Sequence, residues 1–235
     1  MAPLLLAALR VIGVLLIALT ALTPRIGAAA QQLRLSLQRG VEGSNLSVGD
    51  EVPVTFVITN AGTAAYQYSD RTYDRSGRMP EYQLQAFDSR GVQVPDPRTL
   101  SRVPRGYIGG GLGSISELGP GERFTKTVAL NLWALVTSPG VYSVRGRYGL
   151  GSGSAVESAP LIIRILPRSE NEMREHIDTL ALRLAEASDS QTRVDLIKRL
   201  MFTADPRAAA PLRAVVDDDN NVKFWLEEAF AYYLR

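Results

Sequence analysis

The sequence predicts an α+β chain in two modules, an antiparallel β-sandwich followed by a short array of α-helices. Three observations point there. From Gln31 to Pro167, apolar residues recur at every second position between turns rich in Gly and Pro. From Ser169 onward they recur at three- and four-residue intervals, the spacing of one helix face. Within that second stretch a pattern returns after 30 positions, from Leu182 to Leu212.

The strands follow in order. Leu33, Leu35 and Leu37 alternate with Arg34, Ser36 and Gln38, as in a strand with one buried face. Val52, Val54, Phe56 and Ile58 form a second row, closed by an Asn60-Ala61-Gly62 turn. Tyr82, Leu84 and Ala86 precede a turn at Ser89-Arg90-Gly91. Phe124, Val128, Leu130 and Leu132 follow Pro120-Gly121, which suits a type II bend because Gly accepts a positive φ cheaply. Tyr142, Val144 and Tyr148 follow Pro139-Gly140, and Leu161, Ile163 and Ile165 close the series. Short strands at this spacing, without helical periodicity, fit an antiparallel sandwich.

The helices have their own signals. Ser169 and Glu172 make a capping box ahead of Met173, Ile177, Leu180 and Leu184. Val194, Ile197, Leu200 and Met201 line a second helix. Asp205-Pro206 starts a third, lined by Leu212, Val215 and Val216, with a bend expected at Pro211. Val222, Leu226, Ala229, Phe230 and Tyr233 line a fourth. The 30-residue shift lays Asp189 on Asp219, Arg193 on Lys223, Leu196 on Leu226 and Leu200 on Phe230.

The stretches "VGDEVPVTFVITNAGT", "LGPGERFTKTVALN" and "PGVYSVRGRY" resemble bacterial immunoglobulin-like accessory domains. A proteinase-inhibitor-type sandwich is a looser match, through Trp133. The segment "DPRAAAPLRAVVDDDNNVKFWLEEAFAYYL" resembles the short HEAT-like repeat of the PBS-lyase type. The resemblances imply an immunoglobulin-like sandwich over 31–167 and a HEAT-like repeat pair over 168–235. They imply a fold far more than a function.

The segment before the sandwich reads differently. Arg10, the apolar run Val11 to Leu22, and the small residues Gly27 to Ala30 follow the order of a secretory signal peptide over 1–30. Cleavage before Gln31 is expected, with a retained membrane anchor as the other reading; the Arg10 charge inside the span counts against an anchor. Residues 1–30 hold Arg10 and Arg25 and no acid, so their removal takes the formal charge from +2 to zero. A neutral mature chain has no long-range pull toward nucleic acid or an anionic membrane. There is no cysteine, which excludes thiol catalysis, Cys-ligated zinc and a lipidated Cys. The expected compartment is periplasmic or secreted, in a bacterium.

Little in the sequence points to chemistry. His176 is the only histidine, and on a helix beside Glu175 and Ile177 it reads as a solvated residue without an orienting partner. Lys occurs at Lys126, Lys198 and Lys223, none in a dyad motif. The Gly106 to Gly113 loop lacks the Lys-Ser/Thr ending of a phosphate loop. Asp217, Asp219, Asn221 and Glu228 have the spacing of a calcium loop, but Val222 stands where its sharp turn needs Gly, and an interhelix turn explains these acids fully. No catalytic residue, metal or cofactor is expected.

The surfaces expected to bind a protein partner are two. One is the segment between strands carrying Tyr66, Tyr68, Arg71, Tyr73, Arg75, Arg78 and Tyr82, since Tyr and Arg dominate interface hot spots. The other is the end of the helical array, with Trp225, Tyr232 and Tyr233, unless its apolar face packs on the sandwich instead. The function expected is that of an exported non-catalytic binding or scaffold protein. The alternative is a proteinase inhibitor or enzyme-accessory domain, with Arg98 to Gly113 as its protruding loop; a hydrolase would need a polar cluster around Asp70, Asp74 or Glu81.

Overall fold

The computed structural model describes residues 33–40, 45–71, 78–79, 81–100, 113–149 and 155–234. Residues 1–30, where a signal peptide is expected, most of the Gly106 to Gly113 loop, and Tyr73, Asp74 and Arg75 lie outside them. The chain is α+β, with sheets antiparallel except where β2 joins β10 in parallel, followed by four α-helices among the described residues. No helix among them is long and apolar enough to cross a membrane.

Strands β1 (Leu33–Arg39), β3 (Pro53–Asn60) and β7 (Arg123–Ala129) form one sheet in the order β1-β3-β7. The second runs β2-β10-β8-β5, from β2 (Leu46–Ser47), β10 (Leu161–Leu166), β8 (Gly140–Tyr148) and β5 (Tyr82–Phe87), with β9 (Val156–Glu157) on β8. A separate ribbon pairs β4 (Tyr66–Arg71) with β6 (Gly113–Leu118). Period-two alternation supplies the core: Leu35, Val54, Phe56 and Ile58 from one sheet meet Leu84, Val144, Ile163 and Ile165 from the other. Each such residue, fully buried, contributes about 1.5–3 kcal/mol. The sheets approach closely at Gly146, where Leu37 and Phe56 fill the space a Cβ would take, the nearest atom at 2.7 Å. Gly121 has φ +80°, as the Pro120-Gly121 bend requires.

One row departs from the expected pattern. Leu130 and Leu132 do not prolong β7; residues Leu130–Leu132 turn as a 3-10 helix. Asn131 drives the departure. Its side chain is buried, accepts from the Val52 amide at 2.7 Å and donates to the Asp50 carbonyl at 3.0 Å. The chain thus leaves the ladder and delivers Leu132 and Leu135 to the helices, where they pack with Val48 and Ala129 on the helical core.

Helix α1 (Glu170–Glu186) starts at the expected capping box: Ser169 Oγ accepts from the Glu172 amide, and Glu172 Oε2 accepts from the Ser169 amide at 2.6 Å. Its buried face is Met173, Ile177, Leu180 and Leu184. Helix α2 (Ser190–Phe202) is capped by Asp189, and α4 (Asn220–Glu228) by Asp219. The two caps lie 30 positions apart, but the period does not carry along the helices: Leu182 is exposed where Leu212 is buried.

The third helix is shorter than its pattern suggested. A 3-10 turn at Pro206–Ala208, capped by Asp205, leads into α3 (Ala209–Arg213), because Pro211 has no N–H to continue the ladder. Val216 lies beyond its end and is 93 % exposed, so it does not line the helix. The fourth helix widens into a π turn at Ala229–Tyr233. The wider turn shifts the buried face to Val222, Trp225, Ala229, Tyr232 and Tyr233, leaving Leu226 and Phe230 half-buried.

Candidate functional site

The Tyr/Arg segment is a strand at its start. Across the ribbon Tyr66 faces Leu118 and Tyr68 faces Ser116, while Gln67 faces Glu117. Buried Leu118 marks the inner side. Tyr68 stacks on Phe124 with ring centres 4.1 Å apart, and Tyr66 packs on the sandwich core beside Tyr148, whose hydroxyl pKa is raised by burial and by that neighbour. Tyr82 is buried edge-on to Phe56. These rings therefore cover the core and do not form the open hot spot expected of them. Arg71 pairs its backbone with Gly113 at the end of the ribbon.

Arg78 is likewise committed. It holds Asp96 in two bonds, donates to the Leu132 carbonyl, and lies 4.5 Å from the centre of the Trp133 ring. Its role is to brace the 3-10 turn that reaches the helices, so it is not a free anchor.

The helical aromatics are also corrected. Trp225 and Tyr232 are 3 % and 2 % exposed, and Tyr233 is 8 % exposed. Tyr233 Oη donates to the Asn131 carbonyl at 2.8 Å, and its ring meets Phe202 edge-on. Burial raises its pKa, so the hydroxyl keeps its proton throughout the ordinary range. Arg98 lies over the Tyr232 ring and pairs with buried Glu228 at 3.1 Å. The open apolar face is covered by the chain's own Val48, Ala129, Leu132 and Leu135, and the start of the Arg98 to Gly113 loop is tied down. Glu228 is spent on that pair, and Asp217 on Arg193 at 2.5 Å, so two members of the calcium-like spacing have other partners.

The polar residues that converge without such closure sit at the seam between strands and helices. The turn after β2 is held by Asp50: its Oδ2 accepts from the Ser47 amide at 2.7 Å and its Oδ1 from Arg168 Nη2 at 2.6 Å. Gly49 makes this possible, with φ +89° and Met173 at 2.9 Å from where a Cβ would stand. His176 follows one helical turn after Met173. It is half-buried and not freely solvated: its side chain is 28 % exposed, and Nε2 lies 3.9 Å from Asp50 Oδ1, buried without a hydrogen bond. Burial chiefly, with Arg168 and Arg199 nearby, pulls its pKa below the ordinary histidine value, against the opposing pull of Asp50. The ring is neutral at pH 7.

Beside His176 opens a cleft of about 570 Å³. Its floor is Leu46, Pro53 and Leu180; Asp50 and Glu51 stand on the strand side, Arg183 and Arg199 on the helix side. Sequence reasoning missed this cluster, because Asp50 and Arg168 are 118 positions apart. The one local hint was Arg168 directly before the capping box.

A second surface is the outer face of the five-stranded sheet. Ile162, Ser143 and Phe87 form one row across β10, β8 and β5. Arg164 sits opposite Val141, and Arg145 opposite Gln85. Val141 and Ile162 are 44 % and 52 % exposed, and Arg145 lies 5.7 Å from the Phe87 ring centre. Arg147 extends the row toward β9, opposite Glu157.

No protein-family model matches the chain, and no curated protein matches it in sequence. Among solved structures, a β-glucosidase of Erythrobacter marinus is 17 % identical with a TM-score of 0.31, covering 57 % of this chain. A Listeria innocua β-glucosidase bound to glucose is 15 % identical with a TM-score of 0.27, covering 58 %. The chain spans only 15 % and 16 % of those two enzymes. A Bordetella pertussis protein named ApaA is 19 % identical with a TM-score of 0.29, covering 59 % of this chain and 96 % of its own.

Proposed function

We propose that the chain is an exported, non-catalytic binding or scaffold protein of the bacterial cell envelope, with an immunoglobulin-like sandwich and a HEAT-like repeat pair as its two parts. The observation that carries this reading is the outer face of the five-stranded sheet. Val141, Ile162 and Phe87 form an apolar end, and Arg145, Arg147 and Arg164 surround it. Aliphatic and aromatic area ringed by Arg is the composition of protein interfaces, where Arg covers area and still hydrogen-bonds. The zero formal charge of residues 31–235 favours a protein partner over nucleic acid or membrane.

The test is photocrosslinking in native envelope. A crosslinker at Ser143 should capture a discrete protein, and one at exposed Glu186 on α1 should not. Ile162→Glu combined with Arg145→Glu should cut capture at Ser143 at least tenfold, about 1.4 kcal/mol of binding. Equal capture from both positions, or none from Ser143, defeats the proposal.

A further inference from the structure

The seam cleft has a property that the sheet face lacks: its opposing walls carry opposite charge and do not close on each other. Glu51 stands on the strand side and Arg183 and Arg199 on the helix side, and among the described residues none of the three makes a hydrogen bond or ion pair. Asp50, on the strand side, is already used by Arg168 and the Ser47 amide. The floor between the walls is apolar, from Leu46, Pro53 and Leu180. His176 Nε2, on the cleft wall, is buried without a hydrogen bond, as is Arg168 Nη1, which stands outside the cleft lining. A buried polar atom left unmatched costs about 1–3 kcal/mol, which a ligand or water relieves.

The geometry points to a binding site for a small dipolar ligand with an apolar body: an apolar amino acid or short apolar peptide with free termini. Its carboxylate meets Arg183 and Arg199, in the planar fork geometry that suits guanidinium. Its ammonium meets Glu51. Its side chain covers the Leu46, Pro53 and Leu180 floor. The volume, about 570 Å³, lies within the range of small-molecule pockets, and so does the mix of apolar floor and few polar groups. Bound ligand bridges the strand side to the helix side. This site is separate from the sheet face, so failure of either leaves the other standing.

The experiment titrates the whole mature chain by amide NMR with four probes: L-leucine, the dipeptide Leu-Leu, N-acetyl-L-leucine and L-leucinamide. The site predicts saturable shifts at His176, Thr179 and Glu51 with leucine, Leu-Leu or both, and the pattern tells free amino acid from peptide. Capping either terminus should weaken binding at least tenfold, about 1.4 kcal/mol. Arg183→Ala with Arg199→Ala should weaken the uncapped probes by the same factor and leave the melting temperature unchanged, since neither side chain has a partner to lose. Glu51→Gln should affect the uncapped probes and L-leucinamide, but not N-acetyl-L-leucine. Absence of saturable shifts with all four probes overturns the inference, as does equal binding of capped and uncapped forms or full binding by the double arginine variant.

Discussion

His176 and Tyr233 show how much of the seam rests on single side chains. The folded His176 pKa lies below its unfolded value, so the unfolded chain takes up the proton first as pH falls. The stabilising effect of the neutral ring is complete above the ordinary histidine pKa of about 6.5 and is lost as pH falls from there to the folded value. Asp50, Arg168 and Arg199 face the ring, and the arginines outweigh the single acid. The melting temperature should therefore fall between pH 7 and pH 5, and His176→Asn should flatten that slope. The lowered carboxylates Glu172, Asp189, Asp205, Asp217 and Asp219 lose their contribution only as pH falls below the usual carboxylate range, which separates the two effects. Tyr233→Phe removes the bond to the Asn131 carbonyl, and chemical denaturation should register a loss of about 1 kcal/mol.

At the scale of elements, the helix starts are the clearest test of the 30-residue period. Asp189→Ala and Asp219→Ala each remove a cap at equivalent places and should each cost about 1 kcal/mol, read from urea midpoints. These caps, the Ser169 box, the strand rows and the Gly121 bend were all legible, because each is set by residues within a few positions of one another. The misreadings have one cause. Asn131 bends the chain through bonds to Val52 and Asp50, about 80 positions away, and the π turn re-aims Tyr232 against Arg98 from the first half of the chain. Tyr66, Tyr68 and Arg78 looked like surface anchors since nothing local shows that Phe124 and Trp133 wait for them. The cleft residues were invisible for the same reason: local patterns report faces, and only the fold reports which faces meet.

At the scale of the molecule, the strand core and the helical core share a boundary built from Val48, Ala129, Leu132 and Leu135. Each side has its own reporter, Trp133 among the strands and Trp225 among the helices. Trp133→Phe and Trp225→Phe variants should show coincident fluorescence transitions in denaturant, the behaviour of one cooperative unit. Two separated transitions would mean independent units. Cutting after Arg168 should yield aggregating material, because it bares the apolar boundary and the buried side of Asn131.

The parallel pairing of β2 with β10 also imposes an order of events on a growing chain. Leu46 cannot meet Ile165, nor Asp50 its Arg168, until the intervening 118 positions have been made. At a synthesis rate of 5–20 residues per second that interval is roughly 6–24 s. Throughout it β2 has no partner strand, and the chain is vulnerable to mispairing. A holding chaperone, or any delay that keeps the early strands extended until the late ones arrive, should raise the yield of folded protein more than added stability would.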